Sequence, residues 1–174
     1  MREALQCITQ ERLILADRSM RLMAGNVYPI DIGLDDPVPL RVEPGYPSIG
    51  ITIAQSIRIE ETGSPIRQAR FAVNVIRYFY ALTTAEGNEI LAFHWSPQDS
   101  DPDKRPYPHL HVGAVNLDPN GIIRPGTFHK MHIPTGHISI EAVIRLAVTE
   151  LSVRPFHPDW EQILERTEDA RSSY

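Results

Sequence analysis

Between Gly50 and Glu60 the side chains alternate: Ile51, Ile53, Ile57 and Ile59 fall on one side, and Thr52, Ser56, Arg58 and Glu60 on the other. A period of two carried by β-branched residues is a half-buried strand, because a helix would scatter the same isoleucines around its circumference. After the turn Thr62-Gly63-Ser64-Pro65, Phe71, Val73 and Val75 keep the alternation. Ile76, Tyr78 and Tyr80 then take it over and Arg77 drops out of phase. A one-residue slip inside a long strand predicts a β-bulge. The turn Ala85-Glu86-Gly87-Asn88 leads into Glu89 to Trp95 and closes an antiparallel hairpin.

The rest of the chain arranges itself around this hairpin. Leu5, Ile8, Leu15 and Leu22 keep near-helical spacing, so a helix is expected over residues 3–23. Residues 25–48 hold prolines at 29, 37, 39, 44 and 47, which forbid a regular helix and keep the segment off central strands; an irregular arm or a short edge strand is expected there. His109 to Ala114 and Gly126 to Ile133 read as two further strands. Ile140, Val143, Ile144, Ala147, Val148 and Leu151 mark an amphipathic helix with Ser139 as its N-cap. A last helix opens at Pro158, with Trp160, Ile163 and Leu164 inward. Strands segregated from helices give an α+β fold: an antiparallel sheet of about five strands, one N-terminal helix and two C-terminal helices.

The 174 residues suit a single domain over 1–174, with 42% hydrophobic and 22% charged residues, near the globular average. No window approaches 18 uncharged apolar residues, and Glu3, Glu11, Arg12 and Asp17 interrupt any signal-like apolar run. With a lone Cys7, the expectation is a cytoplasmic protein without disulfides. The formal charge of −5 hides a gradient: residues 1–63 carry −3, residues 64–136 carry +1 and residues 137–174 carry −3. An anionic ligand is therefore compatible with the middle of the chain.

That middle segment also holds five of the seven histidines, and the first 93 residues hold none. His109 and His111 are the sharpest feature. Two residues apart on a strand, both rings leave one face with Cα atoms roughly 6.5–7 Å apart. His132, His137 and His129 follow within reach of the same sheet, whereas His94 and His157 read as bystanders.

Three chemistries fit this constellation. A metal site would use His109 and His111 with His137 or His132 and leave a position for water. Metal-independent RNA cleavage would use His109, His111, His132 and His137 as acid and base, with Lys130 or Arg105 stabilising the pentacovalent charge. In a structural role the histidines would bond the Asp99, Asp101 and Asp103 loop. That loop begins like a calcium site, but Lys104 stands where glycine is needed and Leu110 where the bidentate glutamate belongs.

Taken together, Arg77-Tyr78-Phe79-Tyr80, the Glu86-Gly87 turn, Ile90-Leu91-Ala92-Phe93, a Pro-rich loop and Pro108-His109-Leu110-His111-Val112-Gly113 resemble the TumE-type toxins of bacterial toxin–antitoxin modules. The resemblance covers about residues 50–153. It departs from the family where His94-Trp95-Ser96-Pro97 replaces an Arg-Tyr-Asp-Asn-type segment, and a histidine pair beyond it is missing. The resemblance implies a small cytoplasmic toxin acting on RNA and neutralised by a cognate antitoxin. Only His109 and His111 carry over. Apart from it, the residues leave open a metal-dependent enzyme or metal-binding protein acting on a small molecule, and a non-enzymatic protein-binding module.

Overall fold

The computed structural model describes residues 1–10, 23–63, 70–97, 106–113 and 132–172. The fold is α+β. Among the described residues, seven strands form one antiparallel sheet: β1 (Val27–Ile32), β2 (Val38–Leu40), β3 (Ile49–Glu61), β4 (Phe71–Thr84), β5 (Glu89–Trp95), β6 (His109–Val112) and β7 (Ile133–Pro134). The spatial order is β1-β3-β4-β5-β6-β7, and β2 pairs with β3 further along the edge that β1 occupies. Among the described residues the helices are α1 (Arg2–Gln6), α2 (Ile140–Glu150) and α3 (Trp160–Ser172).

The sheet is wider than the expected five strands because the proline-rich segment takes the edge-strand alternative twice, pairing with β3 as β1 and β2. Pro29 lies opposite Ser56 and Pro39 opposite Gly50. Both prolines sit in strands at the sheet edge, where a missing N–H donor leaves no inner ladder bond unmade. Gly33 turns the chain between the two strands with φ of 69°, and its carbonyl accepts a 2.9 Å bond from Thr52 Oγ1.

The N-terminal helix is also shorter than the expected 3–23. It stops at Gln6; residues 11–22 lie outside the described set. Tight bonds close its end, from Cys7 N to Ala4 O and from Ile8 N to Leu5 O, and the Cys7 carbonyl is taken by Phe156 N at 2.7 Å. With that carbonyl engaged by a distant segment, the helical ladder does not continue through it.

The bulge falls where the phase slip predicts. Ser56 pairs with Arg77 and Ile57 with Val75, so Ile76 is the extra residue. On β3 the odd positions Ile51 and Ile53 join Tyr78, Tyr80, Leu82 and Phe93 in a core that the helices cover, with Ile140, Val143, Ile144, Ala147 and Leu164 all fully buried. Each such aliphatic side chain larger than alanine contributes about 1.5–3 kcal/mol of burial. Ser139 caps α2 by accepting from Ala142 N at 3.1 Å and donates to Glu168 Oε1 at 2.8 Å, which ties α2 to α3. No helix among the described residues is long and apolar enough to cross a membrane.

Candidate metal centre

The sheet face away from the helices carries the histidines, and strand register puts them there. β5 pairs with β6 so that His94 stands opposite His109 and Ala92 opposite His111. β6 pairs with β7 so that His109 stands opposite Pro134. Continuing that register sets His132 opposite His111. His94, His109 and His111 therefore leave the same face, one from β5 and two from β6, and His132 joins them at the start of β7.

The rings meet as the register requires. Centroids are 5.1 Å apart for His94 and His109, 4.9 Å for His109 and His111, 5.0 Å for His109 and His132, and 4.7 Å for His111 and His132. One nitrogen from each of His94, His109 and His111 lies within 4.8 Å of the others. Tetrahedral zinc holds imidazole nitrogens about 3.4 Å apart, so rotations moving each ring by on the order of 1 Å close the site on an ion.

Beneath the rings, Ala92 pairs with Ala81 on one side and His111 on the other, and both alanines are buried. This floor of methyl groups removes water without filling the space above it. His109 is 2% exposed, and its Nδ1 lies 2.8 Å from the Tyr107 carbonyl oxygen. An Nδ1–H donating to that carbonyl leaves Nε2 as the lone-pair nitrogen, the arrangement that fixes metal-binding imidazoles elsewhere. His111 Nε2 is buried and has no hydrogen-bond partner among the described residues. Burial, and then the neighbouring His109, His132 and His94, push the His111 imidazole down to about 4, so it is neutral at pH 7. A half-buried neutral ring with an unpartnered nitrogen offers a lone pair that a metal ion could take.

The residues singled out from sequence divide into three groups. His109, His111 and His132 are together. His94, expected as a bystander, stands directly across from His109 and also touches Phe79 edge-on at 6.2 Å between centroids. His137 is exposed, and its ring meets Trp95 at 4.1 Å between centroids. Trp95 follows His94 on the strand and packs toward the core beside Tyr78, so His137 is on the helix side of the sheet. His157 is exposed just ahead of α3. Lys130, Arg105, His129 and the Asp99, Asp101 and Asp103 loop lie outside the described residues.

The signal that could have found His94 is its place as the last histidine before a loop joining two strands. Loop length does not fix register, however, and the pairing of 94 with 109 appears only in three dimensions. Comparison with family models, with curated proteins and with solved structures finds no match for this chain.

Proposed function

We propose that this protein is a histidine-ligated metalloenzyme, in which His94, His109 and His111, with His132 beside them, hold a divalent first-row transition ion acting on a small molecule. The observation that carries the reading is the convergence of three ring nitrogens within 4.8 Å around a buried, unpartnered His111 Nε2. Three imidazole ligands suit zinc, iron, nickel or copper and leave a coordination position open to water. An ion there would lower the pKa of that water to about 7, and the chemistry it would supply is a hydroxide nucleophile for hydrolysis.

Imidazole acid–base cleavage of RNA, by a toxin held by its antitoxin, draws less support from this geometry. Such chemistry needs one imidazole charged near pH 7 and a phosphate seated between two rings. Here His111 is held neutral, and the four rings pack against one another with centroids 4.7–6.4 Å apart.

The deciding experiment is elemental analysis of untagged protein reconstituted with zinc and dialysed. One zinc per chain is expected, falling to near zero in the His109→Ala/His111→Ala double variant. Near-zero zinc in the wild type overturns the reading. RNA cleavage that survives EDTA with a bell-shaped pH profile near 6.5, together with toxicity to growing cells, would put the RNA-directed toxin in its place.

A further inference from the structure

A second built feature lies on the same sheet face, two residues further along. On β4, Arg77 precedes Phe79 by two positions, and Phe79 is paired with His94. On β3, Ser56 is paired with Arg77, and Arg58 follows it on the same face. These residues line a pocket of about 360 Å³ that Ser96 and Pro97 close from the end of β5. Two residues of strand separate it from His94, about 6.5–7 Å along the sheet.

Among the described residues, the pocket lining includes two arginines and no carboxylate. Arg77 Nε donates to Ser56 Oγ at 2.7 Å, which fixes the guanidinium direction. Neither Arg58 nor Arg77 makes an ion pair among the described residues. Glu60, the carboxylate next along β3 from Arg58 on that face, accepts a 2.6 Å bond from Asn74 Nδ2. The bulge sets the phase: with Ile76 paired as an ordinary strand residue, Arg77 would fall on the face of Val73 and Val75 instead of that of Ser56. Two guanidinium groups without an ion pair among the described residues, lining one concave space with two serine hydroxyls, match a dianionic oxyanion in charge.

We infer that this pocket is a phosphate subsite of the histidine centre, holding the phosphate of a small phosphate monoester by Arg58, Arg77, Ser56 and Ser96 while the reacting bond lies at His94, His109 and His111. This inference rests on the proposed metal reading for the second half of its statement, whereas the phosphate subsite itself can be tested without metal. It narrows the substrate class to phosphorylated small molecules whose reacting atom stands about 7–10 Å from the phosphorus, as the strand spacing dictates.

The test titrates inorganic phosphate and phenyl phosphate into metal-free and zinc-reconstituted protein by calorimetry. One saturable site is expected in both forms, and the Arg58→Gln/Arg77→Gln variant should bind at least tenfold more weakly with its zinc content unchanged. Arg77 is exposed, so the single Arg77→Gln variant serves if the double variant unfolds. The His109→Ala/His111→Ala protein should lose zinc and keep phosphate binding. Phosphate binding without zinc binding overturns the metal reading and leaves the subsite. Zinc binding with no saturable phosphate site, or with equal affinity in the arginine variants, overturns the subsite and leaves the metal reading. A single-stranded RNA arm separates the sources: RNA binding that depends on both arginines, without binding of either small phosphate, overturns the small-molecule assignment.

Discussion

Acidification of the metal-free protein isolates what burial does to His111. In an unfolded chain this imidazole titrates near 6.5, and in the fold it is pushed down to about 4. Between those values the unfolded chain takes up a proton that the folded protein refuses, so stability falls as pH falls. The contribution is intact above pH about 6.5 and fully lost below about 4. At about 1.4 kcal/mol per pH unit, the whole gap amounts to about 3 kcal/mol. His111 is only half-buried, and solvent screening reduces this to about 1–2 kcal/mol, of which about 1 is reached by pH 5. For a chain of this size, that is a fall in Tm of about 2–4 °C. The assay is thermal unfolding followed by circular dichroism in EDTA, at pH 7.5 and 5.0, for wild type and His111→Gln. Glutamine cannot take up the proton, and its own structural cost cancels when each protein is compared with itself across pH. Wild type should lose about 2–4 °C more than the variant on acidification. Parallel losses would refute the argument that a desolvated, crowded His111 is neutral in the fold.

Other perturbations test other parts of the structure. A Cβ at Gly113 would stand 1.6 Å from the Glu89 carbonyl oxygen, so Gly113→Ala should separate β5 from β6 and cost more than about 3 kcal/mol; a wild-type melting curve would contradict that close approach. Ser139→Ala removes both the α2 cap and the bond to Glu168, and should destabilise by about 1–2 kcal/mol in urea unfolding. Leu164→Ala, at a fully buried position under α2, should cost about 2–5 kcal/mol by the same measurement. His137→Ala should leave zinc content unchanged, since its ring meets Trp95 on the opposite side of the sheet; loss of zinc in that variant would mean the ligand set is drawn wrongly.

The elements legible in the sequence are those written in local periodicity. Alternating isoleucines give β3, the slip at Ile76 gives the bulge, and Ser139 ahead of an i, i+3, i+4 pattern gives α2. The edge strands were less legible, because proline's missing donor argues against a central strand and says nothing about which edge accepts one. Helix α1 ran shorter than its periodicity, because the Cys7 carbonyl is claimed by Phe156, which lies far along the chain.

The histidine site divides along the same line. His109 and His111 share a face because side chains two apart on any strand do so, and the sequence alone determined that pair. Only the tertiary structure decided their companions, because strand pairing across a loop can slip by one residue and reverse every side chain. The 94-to-109 register brought in His94, and the position of Trp95 on the core side carried His137 away. The single extra residue at Ile76 likewise shifted the alternation, so that Arg77 shares the face of Ser56 and the histidines and not that of Val75. Period-two alternation tells which residues travel together; the pairing between strands decides whom they meet.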